Sequence, residues 1–180
     1  VSAMRRLIDH SNPRITPHFD PEPPLSLPAA LSLSDIRLFD AYFAPADGYC
    51  LLLITEGRGF LEFTKNTAQN ITKDDTDHNN FDHYSLKKYS LFFFPLSKHW
   101  RLYLENAPWK FYLFFLSGSS ISYYNKLFSD SAKEPFVISG SSMLPLHLSH
   151  LYDALSDCNH DPLWLSEQLT SLLCLTIKEA

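Results

Sequence analysis

Three short clusters carry the side chains with the greatest chemical reach. Glu56 closes an alternating run in which Cys50, Leu52 and Ile54 share one strand face, so a carboxylate stands at the end of an apolar row. His99, Trp100 and Arg101 stand together after a turn and offer an imidazole, an indole donor and a guanidinium. Trp109, Phe111 and Leu113 follow at strand spacing as a row of apolar side chains. Aromatic rings beside a few polar groups are what a sugar site needs. The C–H faces of a pyranose pack on rings, and its hydroxyls need fixed donors and acceptors. Plainer readings stand next to this one. A charge at a strand end is an ordinary rim residue, and a histidine at a turn is as readily satisfied by backbone.

Other chemistries have weaker support. Asp75, Asp77 and Asn79 have the opening spacing of a calcium loop, but Asn80 stands where its glycine belongs and Leu86 where its glutamate belongs. His147 and His150 lie three apart on a helical stretch, a spacing that surface histidines share with zinc ligands. Asn70-Ile71-Thr72 is a glycosylation triplet of consequence only in a secreted protein. No nucleophile elbow and no phosphate loop is found. Cys50, Cys158 and Cys174, odd in number and widely spaced, read as reduced thiols. The expectation is a binding protein without a cofactor or metal, and not an enzyme.

The 180 residues allow one sizeable core and a small appendage. With 14 Phe and 9 Tyr against 5 Gly, the composition favours a β-rich body. The net charge of −5 and the absence of a Lys/Arg cluster argue against a grip on phosphate backbones. No apolar run is long enough to span a bilayer, so no membrane partner is expected and the location is read as cytoplasmic.

These residues need a scaffold. Residues 1–34, rich in proline, read as an extended arm. Residues 35–45 read as a first strand, and 48–63 as strand, turn and strand, with Gly57 and Gly59 bracketing a hairpin. The polar stretch 64–83 reads as a long loop. Strands are expected at 89–95, 99–105 and 109–116, the last two separated by a turn at "NAP". The last, "WKFYLFFL", is apolar on both faces, so each face must be covered.

Helical character then takes over. A short amphipathic helix is expected within residues 117–130, where serines offer an N-cap and Tyr123, Tyr124, Leu127 and Phe128 follow. A second is expected at 143–158, with Leu144, Leu148, Leu151 and Leu155 in one stripe. A third follows Asp161 as N-cap and Pro162 at N1, and carries Leu165, Leu169, Leu172, Leu173 and Ile177. It runs to the end without a Gly or Pro stop, which reads as a piece of a longer protein.

The order of these motifs resembles the sensor half of AraC-type transcription regulators. The resemblance rests on Tyr49, Leu51, Leu52, Gly57, Gly59, Pro95, His99, Trp109, Phe111, Tyr112 and Gly118, with two helices in the expected place. It implies a mainly β fold, a cupin-like jelly-roll barrel followed by a C-terminal helical hairpin. Residues 35–118 would be the ligand-binding barrel, and 119–180 a dimerisation region leading to a missing helix-turn-helix domain through which alone DNA is bound. The implied effector is a small molecule, often a sugar. Glu56, His99, Trp100, Arg101, Trp109, Phe111 and Leu113 become its candidate contacts. Leu148, Leu151, Leu155, Leu165, Leu169 and Leu172 become the candidate homodimer contacts. The alternative is a stand-alone cupin enzyme, a metal-dependent isomerase or oxygenase. Such barrels carry a His-x-His on the strand leading into the first hairpin, yet "AYFAPADGYC" has no histidine.

Overall fold

The computed structural model describes residues 14–15, 23–36, 39–65, 81–155 and 161–180. The polar stretch 66–80, with its calcium-like spacing and glycosylation triplet, lies outside them, as does Cys158.

The architecture is mainly β. Its strands are β1 (Arg14–Ile15), β2 (Ser26–Ile36), β3 (Asp40–Phe43), β4 (Tyr49–Thr64), β5 (Phe81–Leu86), β6 (Ser90–Pro95), β7 (Trp100–Ser117) and β8 (Phe136–Val137). Helix α1 (Ile121–Ser131) precedes β8, and α2 (Leu144–Ala154) and α3 (Pro162–Glu179) follow it.

Two long strands, β4 and β7, pair with each other and organise the rest. Each is bent midway, so each serves two sheet layers. The first half of β4 and the second half of β7 join β2 and β6 in one layer. The other halves join β3 and β5 in a second. The sequence predicts a hairpin at Gly57–Gly59 and a turn at "NAP". Both are corners of continuous strands, with register shifts between Ile54 and Gly59. The shifts invert the alternation: even-numbered Cys50, Leu52 and Ile54 face the inner core before the corner, odd-numbered Leu61 and Phe63 after it.

The two layers enclose that inner core. Across it, Phe63 of one layer meets Phe94 of the other edge-on at 5.0 Å, and Trp100 meets Phe94 at 5.3 Å. Among the described residues, the strand order β1-β2-β7-β4-β6-β8, with β3 on β7 and β5 on β4, does not close on itself. The cupin-like barrel that the resemblance implies is, among the described residues, an open, folded sheet.

A second core lies on the outer face of the first layer. There Leu51, Leu53, Phe93, Tyr112, Phe114 and Leu116 meet the helices. Phe128 of α1 stacks on Phe93 at 4.5 Å. Helix α2 contributes Leu144, Leu148 and Leu151, and α3 contributes Leu165, Leu169, Leu172 and Leu173. Asp161 caps α3 by accepting a hydrogen bond from the Leu163 N–H at 3.0 Å. Both closing helices are thus present, while the connection between them, 156–160, lies outside the described residues. The apolar character of both faces of residues 109–116 is explained: Trp109, Phe111 and Leu113 enter the inner core, and Tyr112, Phe114 and Leu116 seat the helices.

Residues 26–36 differ from the expected arm, which extended to residue 34. They form β2, paired with β7, with Leu27 and Ala30 fully buried. Pro28 is tolerated because the register shifts between Ser26 and Ala29, so it escapes the regular ladder. No helix among the described residues is long and apolar enough to cross a membrane.

Candidate functional site

The residues singled out from sequence fall on opposite faces of the folded sheet. Trp100, Trp109, Phe111 and Leu113 are all inside, at most 1% exposed. Trp100 stacks flat on Phe43, with ring centroids 3.7 Å apart. Trp109 packs on Phe111 at 4.9 Å, and Phe39, just before β3, covers both at 5.9 and 5.2 Å. The indole N–H groups of Trp100 and Trp109 are both buried, and among the described residues neither has an acceptor. Such donors are costly to bury unpaired, so this pair marks the interior as a place with unmet hydrogen-bonding demand. Other polar side chains on this side of the sheet are the buried Cys50 thiol, the Ser90 hydroxyl, which accepts from the Lys87 N–H at 2.9 Å, and the partly buried Tyr84 phenol at the margin. Burial pushes the Cys50 pKa well above the usual value, which keeps the thiol protonated.

Arg101 points the other way. On the outer face of the second layer its guanidinium grips Asp40 with two bonds, Nε to Oδ1 at 2.8 Å and Nη2 to Oδ2 at 2.9 Å. A weaker bond reaches Glu62 at 3.5 Å. The guanidinium also lies over the rings of Tyr42 and Tyr103, at 4.8 and 4.3 Å from their centroids. The hydrogen bond to Asp40 raises the Arg101 pKa, with burial opposing.

Glu62 is the centre of this cluster. It is 8% exposed although it faces outward, because Arg101, His83 and Tyr103 cover it. The Tyr103 hydroxyl donates to Glu62 Oε1 at 3.1 Å, and His83 Nδ1 stands 3.0 Å from the same oxygen. Burial first, and the neighbouring carboxylate second, push the Tyr103 phenol up to about 12. Sequence reasoning missed Asp40, Glu62, His83 and Tyr103. Four different strands supply the cluster, and only the register Tyr42–Arg101–Glu62–His83 aligns it.

Two other candidates stand apart from both groups. Glu56 is exposed at the corner of β4, opposite Lys110 in register. His99 is half-buried, and its carbonyl accepts hydrogen bonds from the N–H of Thr64 at 3.0 Å and from its hydroxyl at 3.4 Å. Its backbone therefore closes the turn into β7.

The homodimer residues need correction. Leu148, Leu151, Leu165, Leu169 and Leu172 are at most 5% exposed within a single chain, and Leu155 is partly buried against the same core. They fill the seam between helices and sheet of the single chain. The exposed large apolar side chains of the helices are instead Tyr123, Leu146 and Leu163.

The donor set of the described residues does not fit a resident metal. Among the described residues no group of three or more His, Cys, Asp or Glu side chains could hold one. His150 is exposed and His147 half-buried, with no third ligand beside them among the described residues.

No family model and no curated protein matches the chain. Solved structures do. The AraC-like transcriptional activator CuxR matches with a TM-score of 0.51 and 13% identity, over 99% of this chain and 64% of that one. Protein BH2720 from Bacillus halodurans matches at a TM-score of 0.39 and 14% identity, over 53% of this chain and 64% of that one. Hydroquinone 1,2-dioxygenase PnpCD matches at 0.37 and 13% identity, over 51% and 58%. The chain thus spans less than two thirds of these proteins. The likeness to CuxR is one of overall fold.

Proposed function

We propose that this chain is the effector-sensing domain of an AraC-type transcription regulator. The observation that carries this reading is the CuxR likeness, which takes in 99% of the chain. The sequence motifs support it independently. In this reading the inner core receives a small molecule, and binding shifts the population of sheet and helix arrangements that present a DNA-binding domain. Homodimerisation belongs to the same reading, through surfaces other than the buried leucines. A carbohydrate effector, suggested by the sequence, brings many hydroxyl donors into an interior walled mainly by rings and aliphatic side chains, with two unpaired indole donors.

The test uses the full-length regulator. A compound that raises the melting temperature of this domain should also change affinity for the operator DNA. Unchanged operator affinity across all stabilising compounds would sink the sensor reading.

A further inference from the structure

Resting on the reading that the inner core receives the effector, we infer the chemical class of that effector: a largely apolar, neutral molecule that carries hydrogen-bond acceptors and no donors. An aromatic or alicyclic ketone or ester is of this kind.

The argument starts from what the interior offers. Its walls are rings and aliphatic side chains, among them Phe43, Phe63, Phe94, Trp100, Trp109 and Phe111. An indole N–H donates and cannot accept. The two unpaired groups inside, on Trp100 and Trp109, are therefore both donors. Charged neighbours are absent from this core among the described residues; Asp40, Glu62 and Arg101 lie on the opposite face of their layer. A carboxylate would enter without a cation to meet it, and the several donors of a polyol would find few acceptors: the Cys50 sulfur, a poor one, the Ser90 hydroxyl, already accepting from the Lys87 N–H, and the Tyr84 phenol at the margin. A carbonyl oxygen can accept from one such donor and brings no donor of its own.

The geometry also names the first donor reached. Leu33, Phe39 and Leu104 are only partly buried against the core. They sit together, with Leu33 opposite Phe111 in register and the Leu104 N–H bonded to the Phe39 carbonyl at 2.9 Å. Phe39 lies directly on Trp109 and Phe111, so this margin leads to Trp109. Displacing the Phe39 ring brings a flat molecule against the Trp109 indole.

The experiment follows the indole N–H signals of the chain labelled with ¹⁵N-tryptophan. Its three tryptophans are Trp100, Trp109 and Trp164, and Trp164 of α3 belongs to the other core and serves as control. The probes are 1-indanone, its hydrocarbon indane, and myo-inositol. Saturable downfield movement of the Trp109 signal with 1-indanone, without it for indane and with Trp164 still, is the expected result. Indanone should bind about five- to tenfold more tightly than indane, the worth of one hydrogen bond to a buried donor. Trp109→Phe should remove that preference; if this variant does not fold, the indanone–indane comparison on the unaltered chain decides. A Trp109 response to inositol supports the interior site and overturns the class. Equal binding of indanone and indane overturns the donor role. Silence of Trp100 and Trp109 with every probe at millimolar concentration overturns the interior site itself.

Discussion

The indole of Trp109 occupies the space that a side chain on Gly57 would need. A Cβ on Gly57 would stand 2.3 Å from Trp109 Cδ1 and 2.7 Å from the Pro108 carbonyl oxygen. Gly57 also has a φ of +89°, a conformation that L side chains rarely adopt. Gly59, two residues on, lies under the far end of the same ring, where its Cβ would meet Trp109 Cζ2 at 2.5 Å. The corner of β4 and the inner aromatic cluster are thus one feature: the strand turns where it has no side chains, and the indole fills that space.

Gly57→Ala should therefore destabilise the domain by about 2–4 kcal/mol, the combined cost of a strained φ and an overpacked contact. Gly140→Ala is the control, since its Cβ would meet nothing nearer than a Tyr89 ring carbon at 3.7 Å. Urea titration of the two variants measures both. Equal midpoints would show that the corner tolerates a side chain and that the ring yields.

The glycines also show what was legible in the sequence. Gly57-Arg58-Gly59 reads as a hairpin in sequence because glycine at positive φ serves a tight turn and a bulge alike. What separates the two is the partner. In a hairpin the chain pairs with itself. Here β4 stays paired to β7 on both sides of the corner, some fifty residues along the chain. Local chemistry was readable: Asp161 and Pro162 announced α3, and its N-cap bond is present. The two faces of residues 109–116 were readable too, because period-two alternation needs no knowledge of the partner. Arg101 was noticed but placed at a ligand. Its partners Asp40 and Glu62 come from other strands, and the shifted register that turns Glu62 outward is invisible locally.

The Arg101 cluster yields a prediction about unequal partners. Asp40 is substantially exposed, so Asp40→Asn should cost no more than about 1 kcal/mol, as for surface ion pairs. Arg101→Met removes the same bond but also strips a cation from Glu62, whose side chain is only 10% exposed. That variant should lose roughly 2–4 kcal/mol, because a buried charge is left less well compensated. Chemical denaturation of both variants checks the ranking, and equal losses would place the energy in the Asp40 bond alone.

Tyr103 supplies a pH dependence. Its phenol is pushed up to about 12 by burial and by Glu62, against an ordinary value near 10. The folded state therefore holds this proton more tightly than the unfolded state. The stability it contributes is fully present below pH ~10 and is lost as the pH rises towards ~12. Absorbance titration of the tyrosines should show a late phase that Tyr103→Phe abolishes. Glu62→Gln should move that phase to lower pH but not to the ordinary value, since burial is the larger cause. A late phase surviving in Tyr103→Phe would assign it to another tyrosine; Tyr42 and Tyr84 are raised by burial as well.

The helices separate stability from association. Leu169 is fully buried between α3 and the sheet, so Leu169→Ala should cost about 2–5 kcal/mol in the single chain. Leu163, on the first turn of the same helix, is 68% exposed, and Leu163→Ala should change stability by no more than about 0.5 kcal/mol. Were the buried stripe a dimer surface, Leu169→Ala would weaken association and leave the protomer intact. Because the stripe is already covered by the chain's own sheet, the reverse is expected. Sedimentation velocity and thermal melting, run together on both variants over a range of concentrations, distinguish the two outcomes. A melting temperature for Leu169→Ala that falls by the same amount at every concentration places the leucine in the protomer's core. A loss that disappears at high concentration would return it to an interface between copies.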